Sequence, residues 1–389
     1  MKILHLCLGD RFADNYSYQV NSLVKYQKKC GFKIEIIASC EGFNSEGRLV
    51  HNLSAEKYIG ECDIPITRIP YLYDNKLCYR IRKFKGLKSE LEKSAPDILF
   101  IHNFQFSDVS TVVRYLKRNP QVITYVDNHA DFSNSANNWV SKYILHKIIW
   151  RSCAKKIEPF TRKFYGVLPA RVDFLKELYG LPSEKCELLV MGADDEWVNE
   201  AKSYKQRKMI RDKYGFSDED FVVVTGGKIN QYRPEALHLM EAVIDSKQAN
   251  LKLLLFGNVD ELLRPQFHKH CESSKIRFVG WQNARSTYYL MAAADLVVFP
   301  GLHSVMWEQA VALGVPCIFR NIKGFHHVDL GGNALFLDDV SKESLQTTIE
   351  KLCLDTVMYT KMKNIAESKG MKAFSYSMIA KKSIELENT

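Results

Sequence analysis

The chain has 389 residues, 46% of them hydrophobic, and 54 Lys plus Arg against 45 Asp plus Glu, a net charge of +9. This length accommodates about two domains, and the composition is that of an ordinary globular protein, not a disordered or fibrous one. The modest positive balance suits anionic small molecules or an anionic membrane surface and gives no reason to expect nucleic acid.

The ten cysteines are scattered, with no Cys-x-x-Cys pair. They read as reduced thiols of a cytoplasmic protein, not as a disulfide frame or a zinc site. The apolar N-terminal run ends at Gly9 and Asp10, too early for a signal peptide. No apolar run reaches the roughly 18 residues of a membrane-spanning helix.

The predicted elements begin with a strand at Ile3–Leu8, a loop from Gly9, a helix from about Tyr18 to Lys29 and a second strand at Lys33–Ala38. This is β-α-β alternation from the start. The loop lacks Gly-x-Gly-x-x-Gly, which argues against a dinucleotide-binding dehydrogenase. Gly227-Lys228 is followed by Ile229, so there is no Walker motif. Residues 41–75 read as irregular. Tyr79–Lys93 reads as one helix carrying Arg80, Arg82, Lys83, Lys85 and Lys88. Ile98–Ile101 and Val122–Val126 are buried strands, the second followed by Asp127-Asn-His-Ala-Asp131. His129 there is either a catalytic or acceptor-binding group or a hydrogen-bonded structural histidine. Trp139–Arg151 has a broad apolar face with two tryptophans, flanked by Lys142, Lys147, Arg151, Lys155 and Lys156. It is either a basic amphipathic helix of a membrane interface or a helix packed on the sheet.

Residues 196–220 are strongly polar and mark the linker, together with the first helix beyond it. Phe221–Thr225 opens a second α/β run, and Gly226-Gly-Lys-Ile-Asn-Gln-Tyr-Arg233 follows it as a turn. Lys228 and Arg233 place positive charge at a strand end, where a diphosphate would sit. Strands ending in Gly257 and Gly280 come next. Leu296–Phe299 is a buried strand broken by Pro300 and Gly301. Ser304 is expected to cap a helix through Ala312, with Gly314 at its end, and Val315–Phe319 is the following strand. His303 and Ser304 stand where the strand end meets the helix N-terminus, a place that favours anions. Glu308, about one turn into the helix, either reaches a ligand held there or is a solvated residue of a plain core unit. Gly331–Asp338 reads as a hairpin or loop, and three helices, 344–354, 357–369 and 376–386, close the chain.

In register, these motifs resemble family 4 glycosyltransferases. Gly227-Lys-Ile-x-x-x-Arg233 is similar to that family's Gly-Arg-Leu-x-x-x-Lys with the cations exchanged. Gly257 and Gly280 resemble its glycine turns, and Ala292–Pro300 the strand before its donor loop. Glu308-Gln-Ala-Val-Ala-Leu-Gly-Val-Pro316 is similar to its Glu-Ala-Met-Ala-x-Gly-x-Pro. Phe374–Ala380 resembles its final helix, and Met191-Gly-Ala-Asp194 its hinge motif. The resemblance implies the GT-B fold: two Rossmann-like domains facing across a cleft, with a C-terminal helix crossing back to the first. The expected divisions are an acceptor-binding domain, 1–195, a nucleotide-sugar-binding domain, 196–370, and the returning helix, 371–389.

The implied activity is metal-independent, retaining transfer of a sugar from a nucleotide diphosphate sugar to a saccharide acceptor, with no cofactor. The implied donor-binding residues are Gly9, Gly227, Lys228, Arg233, Gly257, His303, Ser304, Val305 and Glu308. The implied catalytic set is His129, Lys228, Arg233 and Glu308. The family's paired glutamates are not both present, because the first would fall on Pro300 and the loop to Glu308 is about four residues short of the family pattern. His303 or Ser304 is expected to substitute in reading the sugar. The basic segments favour a lipid-linked acceptor at the inner membrane face, in cell-surface polysaccharide or glycolipid assembly. The rivals are a non-catalytic nucleotide-sugar-binding subunit, a nucleotide-sugar epimerase and an inverting transferase.

Overall fold

A computed structural model describes every residue except 15, 17, 44–48, 133, 137, 231–233 and 386–389. Two compact units result: Met1–Val190 with the C-terminal segment from Ser377, and Met191–Tyr376. The helix Tyr376–Ser383 thus runs from the second unit into the first.

Among the described residues the first unit holds ten strands: β1 (Lys2–Cys7), β2 (Lys33–Ser39), β3 (Gly42–Phe43), β4 (Leu49–Val50), β5 (Lys57–Ile59), β6 (Pro65–Ile69), β7 (Ile98–His102), β8 (Ile123–Asn128), β9 (Lys163–Gly166) and β10 (Cys186–Leu188). Eight form one sheet in the order β10-β9-β8-β7-β1-β2-β6-β5, and β3 pairs with β4 separately. All pairs in the large sheet are parallel except β5 with β6. The parallel strands are the apolar runs of the sequence, as expected where both faces are covered. Residues 41–75, read as irregular, hold four of these strands. At two to five residues each they are too short to show a period.

The basic stretch at 79–93 is two helices, Lys76–Ile81 and Leu87–Ser94, not one. Arg82 (φ 53°) and Gly86 (φ 87°) both take left-handed backbone, which stops one helix and starts the next. Arg82 also leaves the basic face: its guanidinium donates to the carbonyls of Gly9 and Gln105. Val140–Trp150 is a π-helix that buries His146 and Trp150 but leaves Trp139, Val140 and Ile148 more than half exposed. Among the described residues no helix is long and apolar enough to cross a membrane.

The second unit holds β11 (Phe221–Ile229), β12 (Leu251–Val259), β13 (Ile276–Phe278), β14 (Leu296–Phe299), β15 (Cys317–Arg320) and β16 (Ala334–Leu337). They form an all-parallel sheet in the order β13-β12-β11-β14-β15-β16. The expected hairpin at 331–338 is instead β16, an edge strand parallel to β15. The expected turn from Gly226 continues β11 through Ile229, paired residue for residue with β12. The polar stretch after Asp195 forms two helices, Asp195–Ala201 and Tyr204–Tyr214, both in this unit. Asp194 and Ser203 cap them by accepting backbone N–H bonds.

Candidate active site

In the second unit a cavity of about 250 Å³ opens at the C-terminal ends of β11 and β14, lined by Gly227, Lys228, Glu235, Gly301, Leu302 and Ser304 among others. This is where ligands of parallel α/β sheets bind. Gly257 lies behind it. Its φ is 129°, and a Cβ there would stand 1.8 Å from the Gly227 carbonyl oxygen. Glycine is therefore required at this point of the β11–β12 pair. Lys228 is exposed at the rim. Arg233, expected as its companion cation, lies outside the described residues.

The loop after β14 differs from the expectation in one respect. Ser304 lines the cavity, but its side chain does not cap the helix. The helix is Met306–Ala312, its N-cap is Val305 in right-handed helical geometry, and no side chain accepts a capping bond. The Ser304 carbonyl instead accepts from Trp307 N–H at 3.0 Å.

Glu308 is fully buried and does not line the cavity. Its Oε1 accepts from His303 Nε2 at 3.0 Å and from His327 Nε2 at 2.8 Å. Burial alone would raise its pKa. The two imidazoles more than offset that and hold the carboxyl at about 2. Trp307, also fully buried, stacks on Phe319 at 4.3 Å and fixes the helix beneath this cluster. The ligating atoms of His303, Glu308 and His327 lie within 4.8 Å of one another. Two imidazoles and a carboxylate form a common set for a divalent transition metal. The present N···O separations are those of hydrogen bonds.

Two residues here escaped the sequence reading. His327 comes from a short 3₁₀ turn, His326–Val328, between β15 and β16. Glu235 opens the helix after β11 and lines the cavity. Its Oε1 accepts from Arg320 Nη1 at 2.8 Å, while its buried Oε2 has no partner among the described residues. The signal for Glu235 was its place after Pro234 at a helix N-terminus. His327 gave none.

Gly9 and His129 lie in the first unit. Gly9 packs on β7's exit: a Cβ there would stand 2.0 Å from the Asn103 carbonyl oxygen. His129 follows β8 with its side chain 24% exposed and Nε2 3.5 Å from Asp127 Oδ2. Burial lowers the pKa of this imidazole. Asp127 more than offsets it, and the net pKa is raised. The partner the sequence did not show is thus two residues away in the same segment. Asp127 itself is fully buried and accepts from His102 as well.

Two Rossmann-like units, with a strand-end cavity in the second and a terminal helix returning to the first, define a GT-B protein. Residues 206–369 match the family model described as glycosyl transferases group 1, a stretch that lies within the second unit. The chain is 26% identical over 254 residues to mannosylfructose-phosphate synthase of Agrobacterium fabrum, covering 61% of this chain and 54% of the relative. It spans about half the length of that curated relative. Among solved structures, Anabaena HepE in complex with UDP and glucose superimposes with a TM-score of 0.66 at 16% identity, covering 100% of both chains. UDP-GlcNAc 2-epimerase of Neisseria meningitidis bound to UDP-GlcNAc gives 0.65 at 13% identity, covering 99% of this chain and 100% of that one.

Proposed function

We propose that the protein is a retaining glycosyltransferase that moves a sugar from a nucleotide diphosphate sugar to a saccharide acceptor. The observation that carries this reading is the cavity at the β11 and β14 ends, with Lys228 on one wall and the Gly301–Ser304 loop on the other, inside the stretch that matches the glycosyl transferases group 1 model. Lys228, with Arg233, neutralises the departing diphosphate electrostatically, so no metal is needed for that step. The acceptor oxygen bonds to the anomeric carbon as the bond from that carbon to the diphosphate breaks. The electron pair leaves with the phosphate, and the acceptor proton goes to His129. Attack on the face the diphosphate leaves keeps the configuration without a protein nucleophile. UDP in the HepE and epimerase structures supports a uridine donor. Glu308 reads the ribose once the nucleotide displaces one of its histidines. Glu235, whose Oε2 has no partner among the described residues, takes the sugar-reading place of the absent first glutamate.

The acceptor we favour is a lipid-linked saccharide at the inner membrane face. The support is the exposed apolar side of the π-helix, flanked by Lys142 and Lys147. Transfer should appear when purified protein is given UDP-sugars with lipid-linked saccharides, and Lys228→Ala should lower kcat/KM at least tenfold, the equivalent of about 1.4 kcal/mol of transition-state binding. Turnover unaffected by that substitution would sink the reading.

A second reading, a subunit that binds nucleotide sugar without transferring it, draws on Glu308 being fully engaged by His303 and His327. Nucleotide binding with no turnover across a broad acceptor panel would favour it. Acceptor-independent release of UDP and a 2-epimer would instead show an epimerase.

A further inference from the structure

A chain of buried polar side chains crosses the first unit's sheet beneath His129. Ser383 Oγ lies 2.7 Å from the Ala380 carbonyl, Gln27 Nε2 is 3.0 Å from Ser383 Oγ, and Gln27 Oε1 is 2.7 Å from His5 Nε2. His5 Nδ1 is 2.9 Å from His102 Nε2, and His102 Nδ1 is 2.7 Å from Asp127 Oδ2. All five side chains are at least 98% buried.

Each link dictates the next. Ser383 has one hydrogen and gives it to a carbonyl, so its oxygen accepts from the Gln27 amide. Gln27 then turns its oxygen to His5, which must carry its hydrogen on Nε2. His5 is neutral, because burial and then His102 lower its pKa well below the ordinary value. Its Nδ1 is therefore a bare acceptor, and His102 must donate from Nε2. A neutral His102 would then set a lone pair against the Asp127 carboxylate, which is repulsive. A proton must occupy that gap. Imidazole is the stronger base of the two by their ordinary pKa values, and Asp127 Oδ1 already accepts from the Asn103 N–H at 3.2 Å, so the carboxyl is the ionised partner. The proton is therefore on His102 Nδ1.

We propose that His102 is a buried imidazolium, held in that state by the Ser383–Gln27–His5 chain, and that it is a positioning residue that lowers the basicity of His129. The inference rests on the preceding reading only where His129 is taken as the base. Asp127 Oδ2 is shared between the two imidazoles, and its pull on His129 is offset by the cation on its other side. The charged and titratable groups facing this set are Asp10 after β1, Cys7 on β1, and Arg171 on the helix Pro169–Glu177, which pairs with Asp131 at 3.0 Å. Ser383 comes from the C-terminal helix, so that helix sets the direction of every hydrogen bond in the chain. With Ser383 lost, Gln27 can reverse, both histidines switch tautomer, and His102 becomes a neutral donor to an unbalanced carboxylate.

Histidine-selective ¹⁵N NMR of the full chain tests this without substrate. The expected spectrum shows one imidazole, absent in His102→Asn, with both nitrogens protonated throughout neutral pH. Ser383→Ala should raise the pKa of His129 by about one unit, the usual scale for uncovering an adjacent charge. His102→Asn should do the same. The acidic limb of kcat/KM against pH should move upward with it. A wild-type His102 with one bare nitrogen, or a His129 pKa unmoved in a folded Ser383→Ala protein, overturns the proposal. An NMR shift without a shift in the kinetic limb supports it and removes His129 as the base.

Discussion

Glu308→Gln changes one atom in the centre of the second unit's site and separates its two roles. The carboxylate accepts from His303 at 3.0 Å and from His327 at 2.8 Å with no exposure to solvent. Hydrogen bonds to a buried charged group are worth about 1.5–3 kcal/mol each. An amide oxygen in the Oε1 place keeps both as neutral bonds, while the His303 contact to Oε2 at 3.2 Å is replaced by an N–H facing an N–H, so the loss comes to about 2–3 kcal/mol. In a domain of this size that lowers the transition of the second unit by roughly 5–10 °C. The sign with pH follows from the depressed pKa. Glu308 stabilises the fold fully above its ordinary value of 4.5, and that contribution is lost as pH falls through about 2. Calorimetry of the two proteins should therefore show the full gap at neutral pH and a closing gap in acid. UDP should bind the variant about tenfold more weakly, one charge-assisted bond poorer. Equal transitions at neutral pH, or a gap unchanged down to pH 2, would refute the clamped-carboxylate account.

Three further outcomes are expected. Gly257→Ala puts a Cβ 1.8 Å from the Gly227 carbonyl at φ 129°, and should cost about 3 kcal/mol and empty the nucleotide site together, read by chemical unfolding and UDP titration. The double reversal Lys142→Glu, Lys147→Glu should abolish cosedimentation with anionic vesicles at low salt while leaving binding to UDP intact. Unchanged sedimentation would remove the membrane argument. A chelator should leave transfer unchanged, whereas added zinc should compete with UDP by occupying His303, Glu308 and His327. Zinc competition that persists in His327→Ala would place the ion elsewhere.

Much of the molecule could be read along the chain. The parallel strands are continuous apolar runs because both faces are covered, and Lys2–Cys7, Ile98–His102 and Leu296–Phe299 all show it. Gly227 and Gly257 were visible as glycines near strand ends: Gly257 because close backbone approach leaves no room for a Cβ, Gly227 because its φ of 125° lies where side chains are strained. The helix break at Arg82–Gly86 was not, since arginine rarely takes left-handed backbone and its bond to the Gly9 carbonyl is a contact across 73 positions. The two histidine clusters were hidden for the same reason. His5, His102 and Asp127 each sit within or at the end of an apolar run, and only the parallel register, with His102 beside Asp127 and β1 beside β7, turns three isolated polar residues into one chain. His303, Glu308 and His327 come from a loop, a helix and a 3₁₀ turn. Local pattern determined the elements and which residue types stood at the strand ends. Tertiary packing alone decided which of those residues share a proton or a charge, because burial and distance, which set those energies, are properties of the folded chain.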